Sequence, residues 1–260
     1  MIENRRSFIR KAGFGTLALP GLLSCVSDKS KITHIVSISF DDGFKKSFIK
    51  TAEIYEKYKL SACFNVIASG HLRSFAPPDD YILQDIIGDF TLWNELLKRG
   101  HEVMPHGYRH ANLAQLPLDQ ATGLITESLD FFSENLDGFD PLKSIFNFPF
   151  NSSSPEIEEW LNDKVLAYRT AGDVINDLPH EGQKRLTCIS MGPENIDSYF
   201  ESQLQSFLAK PEGWFIFNAH GLDGEGWGPM SSSYLDELLD RLLKKEQVRI
   251  LPVGKALLQL

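Results

Sequence analysis

The chain has little of what marks the non-globular classes. Its three cysteines are too few, and odd in number, for a disulfide framework. No apolar run reaches the about eighteen residues that a membrane-spanning helix needs. Internal repeats and low-complexity segments are absent. Basic residues are in deficit, 26 Lys and Arg against 35 Asp and Glu, for a net charge of -9. That sign repels a phosphate backbone and argues against a nucleic-acid partner. What remains is ordinary globular composition, 42% hydrophobic and 23% charged over 260 residues. Such a chain buries a full core without staples and suits one large domain or two small ones.

The first residues, MIENRRSFIRKAGFGTLALPGLLSC, read as an address. Arg5-Arg6 precede Ser7-Phe8-Ile9-Arg10-Lys11 and a mildly apolar stretch, which resembles a twin-arginine export signal. Leu22-Leu23-Ser24-Cys25 resembles a bacterial lipoprotein box, in which the chain is cut before a cysteine that becomes lipidated. The expectation is a signal peptide over 1–24, a lipid on Cys25, a tether over 25–31 and a folded domain over 32–260. The protein would then be exported and membrane-anchored in the periplasm or cell envelope, touching the membrane only through that lipid. Cys63 and Cys188 sit in apolar strand-like runs and are expected to be buried thiols.

Beyond residue 32, strands alternate with helices. THIVSISF, ACFNVIAS, HEVMPH, SIFNFPF, VLAYRTA, RLTCIS, WFIFNAH and VRILPV read as strands. Helical spacing falls at 44–58, 92–99, 118–136, 156–161, 198–209 and 231–245. The alternation predicts a parallel α/β sheet or barrel with helices outside, in one domain. In such folds chemistry gathers on the loops after the C-terminal strand ends.

The chemistry-bearing residues fall there. Asp41 and Asp42 follow the first strand, with Gly43 supplying a turn. Neighbouring carboxylates on an extended chain point apart, so one can bind a metal while the other faces a reacting water. An acidic turn is the plain alternative. His106 and His110 in PHGYRH follow the third strand, and a helical turn there would put both imidazoles on one face. His220 ends an apolar strand before the loop GLDGEGWG. Two His and one carboxylate leave a coordination position open to water, whose pKa the metal lowers. A second carboxylate can take its proton and a histidine can protonate a leaving group. The set describes a hydrolase of amides or esters.

These motifs resemble the polysaccharide deacetylase (NodB-homology) family, carbohydrate esterase family four. Phe40-Asp41-Asp42-Gly43 matches its first motif, Gly100-His101-Glu102 through His106-Gly107-Tyr108-Arg109-His110 its second, and Asn218-Ala219-His220 its late histidine motif. The resemblance implies a distorted (β/α) barrel of about seven strands and a divalent metal, usually zinc. It implies Asp42, His106 and His110 as ligands, Asp41 as general base and His220 as general acid. The substrate it implies is an acetylated poly- or oligosaccharide, losing N- or O-linked acetyl groups.

Two departures qualify the match. The third motif of the family has an Arg shortly before a Pro, and then a Tyr. Here Pro149 is kept while Asn147 and Phe150 stand in the other places. The backbone N–H of Phe150 can still donate to an oxyanion. The missing cation has a substitute in Arg169, which otherwise pairs with Asp173 or another acid. The fourth motif is not recognisable, and Asp173 is its nearest relic. Trp227 reads as a sugar-stacking platform or a loop anchor; Asp223 and Glu225 beside it either meet sugar hydroxyls or are solvated. His71 is a further residue within range of the site. The alternatives to a deacetylase are a glycan-binding protein that has lost turnover and a metal hydrolase of a non-sugar amide.

Overall fold

The computed structural model describes residues 32–76 and 82–259. The export and lipidation assignments, with Cys25 and the tether over 25–31, lie outside the described residues.

The elements follow in the order β1 (His34–Phe40), α1 (Lys45–Lys57), β2 (Cys63–Val66), α2 (Phe90–Lys98), β3 (Glu102–Pro105), α3 (Leu118–Asn135), β4 (Ile145–Asn147) and α4 (Pro155–Leu161). Then come β5 (Ala167–Ala171), β6 (Ile175–Asn176), β7 (Arg185–Cys188), α5 (Asp197–Leu208), β8 (Gly213–Ala219), α6 (Ser232–Leu243), β9 (Val248–Ile250) and α7 (Val253–Leu258). The fold is α/β, as the alternation predicts. One sheet runs β3-β2-β1-β8-β6, with β9 pairing the first half of β1, and a second runs β4-β5-β7. A parallel bridge from Ile189 to Phe217 links the second sheet to β8. Seven parallel strands therefore succeed one another around a distorted barrel, β3-β2-β1-β8-β7-β5-β4.

Between β3 and β4 no ladder forms among the described residues, and side chains bridge the gap. The Asn147 amide donates to the Pro105 carbonyl at 3.3 Å, and His106 Nδ1 donates to the Asn147 carbonyl at 3.0 Å. The break in the barrel thus lies beside the candidate site.

Strand alternation sorts the interior by height. Ile35, Cys63, Ile145, Ala167, Leu186, Trp214 and Ile216 share one apolar cluster, sealed by Val253, Ala256 and Leu257 of α7. Two residues further along β2, β4, β5 and β8, and four further along β1, the same face carries Asn65, Asn147, Arg169, Asn218 and Ser39, all buried. The floor of the barrel is therefore apolar and its upper layer polar. The opposite strand faces pack under α1, α2, α5 and α6, through residues such as Phe48, Trp93, Phe200 and Leu238. Asp89 caps α2 by accepting the N–H groups of Thr91 and Leu92.

Two elements depart from expectation. β6, two residues long, pairs antiparallel with β8. VRILPV is not one strand: β9 stops at Ile250, and past Pro252 the chain turns into α7. Cys63 and Cys188 are free and buried.

Candidate active site

At the end of β1 the Asp41 N–H still bonds the Ala219 carbonyl at 3.0 Å, and then Asp42 takes a left-handed φ of 77°. That reversal turns the two carboxylates to different surroundings. His106 and His110 do not sit on a helical turn, contrary to the spacing argument. They occupy a loop in which Gly107 has φ 74° and His110 φ 54°, and their rings lie 5.1 Å apart. A side chain at 107 would press on Pro149, its Cβ only 2.9 Å from Cγ, so glycine is required for both φ and space. Six non-glycine described residues have positive φ, and four of them, Asp42, His110, Phe150 and Asn151, line one cavity. Such strain gathers where surrounding structure holds functional groups in place.

That cavity, of about 350 Å³, is also lined by His106, His220, Trp227, Ser190, Asn218 and Ile82. A larger open depression along α3 contains no comparable ligand cluster. Asp42 Oδ1 lies 3.3 Å from His110 Nε2 and 3.5 Å from His106 Nε2, and the three donor atoms fall within 4.8 Å of one another. Zinc bonds of 2.0–2.1 Å imply a tetrahedral edge of about 3.3–3.4 Å, so this spacing fits a single zinc-sized ion. The donor chemistry fits as well. His106 Nδ1 carries the proton that it gives to Asn147, which leaves Nε2 as a lone pair facing Asp42. Asp42 Oδ1 is buried and accepts no hydrogen bond. Burial raises the Asp42 pKa, but the facing imidazoles outweigh it and the net shift is strongly downward. Burial lowers His110 to about 4, in favour of the neutral ligand form.

Asp41 lies behind this set and does not line the cavity; it is fully buried. Its Oδ2 is 3.5 Å from His106 Nε2. Arg169 holds it at both oxygens, 2.5 Å from Nη2 to Oδ2 and 3.1 Å from Nη1 to Oδ1, and Asn65 Nδ2 donates to Oδ1 at 2.7 Å. Burial pushes the Asp41 carboxyl up; Arg169 and His106 overcome this and keep it below the ordinary value. Arg169 therefore pairs with Asp41 and not with Asp173, which is exposed and accepts the Ile175 N–H.

Across the cavity, His220 meets Trp227 edge-on at 5.4 Å, and burial lowers its pKa. The Phe150 ring, 46% exposed, tilts over His110 at 4.7 Å. Three neighbouring residues have structural duties instead. Glu225 accepts from the Ser47 N–H at 2.9 Å, Asp223 accepts from the Ser232 N–H at 2.8 Å, and His71 packs between Phe90 and Phe131.

Sequence reasoning passed over Asn65, Ser190 and Asn151, and took Asn218 only as part of the late histidine motif. Asn65 and Asn218 had a readable signal, since each is a lone amide within an apolar strand, and a buried polar group needs partners. Asn218 also shares a strand face with His220. Asn151 and Ser190 stand in irregular segments and carried no such signal.

The sequence profile of the polysaccharide deacetylase family matches residues 28–170. No curated protein matches the chain in sequence. Among solved structures, the peptidoglycan deacetylase PdaC from Bacillus subtilis superposes with a TM-score of 0.53 at 15% identity, over 86% of this chain and 90% of that one. A family-four carbohydrate esterase from Streptomyces lividans, in complex with acetate, gives 0.55 at 14%, over 84% and 91%. A family-four pseudoenzyme from Bacillus anthracis gives 0.55 at 15%, over 88% and 66%. At these identities the likeness is one of fold. The family profile spans more than half of the sequence, and the chain belongs to the polysaccharide deacetylase family.

Proposed function

We propose that the chain removes acetyl groups from an acetylated poly- or oligosaccharide, using a divalent cation, zinc by donor set, held by Asp42, His106 and His110. The observation that carries this reading is the spacing of those three donor atoms, 3.3 and 3.5 Å from Asp42 to the two imidazoles. A cation there lowers the pKa of water and polarises the acetyl carbonyl. Asp41 Oδ2, at the edge of the ligand set, takes the proton of the attacking water. The Phe150 N–H donates to the developing oxyanion, a role that needs no side chain. His220 gives a proton to the departing amine or alcohol from the far wall. Trp227 and Phe150 flank the sugar with aromatic faces. Export and a lipid on Cys25 would place this activity at the cell envelope, where acetylated glycans such as peptidoglycan occur.

The test is acetate release by the full chain from a panel of N- and O-acetylated glycans, peptidoglycan included, alongside simple non-sugar amides. Release from a glycan that disappears in Asp41→Asn supports the proposal. Release only from non-sugar amides moves the same site to another substrate class.

One observation favours a second reading. Asp41 is fully buried, both its oxygens are engaged, and it does not face the cavity. A glycan-binding protein without turnover needs no more than that. Glycan binding with no acetate release, unaffected by chelation, would establish it.

A further inference from the structure

We infer that Arg109 makes the site selective for acidic glycans, by holding a carboxylate on the sugar next to the one that loses its acetyl group. The inference rests on the deacetylase reading.

A second pocket, of about 620 Å³, adjoins the active cavity and shares the Phe150 ring with it as a common wall. Its polar lining is one guanidinium, that of Arg109, and two amides, those of Asn112 and Gln115. Among the described residues no acidic side chain lines it. The chain as a whole carries a net charge of -9, so this exposed cation stands apart from its surroundings.

The loop after β3 ties this pocket to the metal ligands. Arg109 directly precedes His110, which has a left-handed φ of 54°, and the two side chains part there. His110 lines the active cavity and Arg109 the second pocket. Beyond them a single 3₁₀ turn, Leu113–Gln115, is anchored by buried Leu113 and closed by the Gln115 N–H on the Asn112 carbonyl at 3.1 Å. Positions three apart eclipse in such a turn, which brings both amides to one side. Asn112 Oδ1 is enclosed without a hydrogen-bond partner, a deficit that a turn of the amide or a bound hydroxyl relieves.

The Phe150 ring, exposed and 4.7 Å from the His110 ring, is the step between the two pockets. A glycan lying across it has one sugar at the donor set and the next beside Arg109. One cation with neutral amides matches a single negative charge. A carboxylate meets the planar fork of arginine with both oxygens, whereas a phosphate dianion would keep a charge uncompensated.

The test compares each acidic glycan with its carboxyl-reduced form, in which every carboxylate is a neutral hydroxymethyl group. The probes are N-acetylated oligosaccharides containing a uronic acid, O-acetylated oligouronates, and peptidoglycan strands stripped of peptide, whose carboxylate is on a lactyl ether. The full chain, Arg109→Gln and Arg109→Glu are assayed for acetate release, for binding by isothermal titration, and for zinc content. Wild type should prefer at least one acidic form by about five- to tenfold in kcat/KM, the scale of a charge-assisted contact at an exposed site. The preference should lie in KM and shrink with added salt. Arg109→Gln should bring the ratio to about one and Arg109→Glu should reverse it, with zinc retained in both. The pair that shows the preference separates uronate from lactyl carboxylate. The inference is overturned if wild type treats both members of every pair alike, if it binds no acidic glycan, or if Arg109→Gln keeps the preference. No release from any glycan defeats the deacetylase reading itself; the titrations still decide whether Arg109 selects the carboxylate.

Discussion

Burial raises the cost of ionising both carboxylates at the end of β1, and each is held ionised by different neighbours. Asp42 faces two imidazoles and the cavity, whereas Asp41 faces Arg169 and Asn65 behind it. The division comes from one left-handed residue, Asp42, between two strand ends. Removing the Asp41 charge while keeping its shape should therefore spare the metal and cost the reaction. Asp41→Asn is expected to retain stoichiometric zinc, by elemental analysis, and to lose about 10²–10⁴ in kcat, the usual scale for a general base. Asp41→Ala does something further: it strands the buried Arg169 guanidinium. Its unfolding free energy in denaturant titration should drop by about 3–5 kcal/mol, as when one partner of a buried pair is removed. A drop under about 1 kcal/mol would mean that the pair is not held as described.

At the scale of elements, the loop after β3 makes the histidine pair and depends on Gly107. Gly107→Ala should cost about 1–2 kcal/mol, the penalty for a left-handed non-glycine residue. It should weaken zinc binding about tenfold, as disturbances behind a ligand set do; isothermal titration checks both the affinity and the stoichiometry. A second prediction concerns α5 and α6. Glu201 on α5 accepts from Arg241 at 2.6 and 3.0 Å and from the Tyr234 hydroxyl at 2.6 Å, both on α6. The Arg241 contact lowers the Glu201 pKa from 4.5 to about 2. A lowered folded pKa adds stability above pH 4.5 and forfeits it as the pH falls toward 2. Glu201→Gln should thus lower the melting temperature at neutral pH by about 2–4 °C, for about 1 kcal/mol. The gap to wild type should close in acid, and a gap that stays constant would contradict the assignment.

Most elements were readable because their patterns are strong. The β-branched run of β1 and the spaced apolar residues of α1 and α3 admit few alternatives. The failures have local causes. β6 is two half-buried residues at the edge of its sheet, paired with β8, too short for any alternation to show. α7 begins directly behind a strand of the same apolar character, so its onset left no change of pattern. The i, i+4 histidines invited a helical turn, whereas Gly107 and the left-handed His110 reach the same closeness by another route. Arg169 was named as the substitute for the missing cation, with Asp173 or another acid as its alternative partner; the choice between them depends on how β1 and β5 face each other, a property of the closed fold. Asp42, His106, His110, His220, Phe150 and Trp227 do meet around one cavity, while Asp41, Asn147 and Arg169 form the layer behind it.

For the whole molecule, the barrel gives one consistent gradient: an apolar floor closed by α7, a polar layer above it, and the donor set at the rim. Among the described residues the gap in the ladder between β3 and β4 is spanned by contacts of His106 and Asn147, so a cation bound at the rim would also brace the barrel. Zinc should therefore stabilise the fold as well as serve the chemistry. At a hundredfold excess over its dissociation constant it contributes about 2.7 kcal/mol, a rise of about 5–10 °C in melting temperature. His110→Ala should abolish that rise. The most direct test of the account is acetate release by the full chain from a glycan that it accepts, measured with metal analysis on the same samples. They are taken as purified, after chelation, after zinc is restored, and in His110→Ala. Release should vanish with the metal, return with zinc, and be absent from a zinc-poor His110→Ala protein. Undiminished release after the metal is gone, or from His110→Ala, would contradict it.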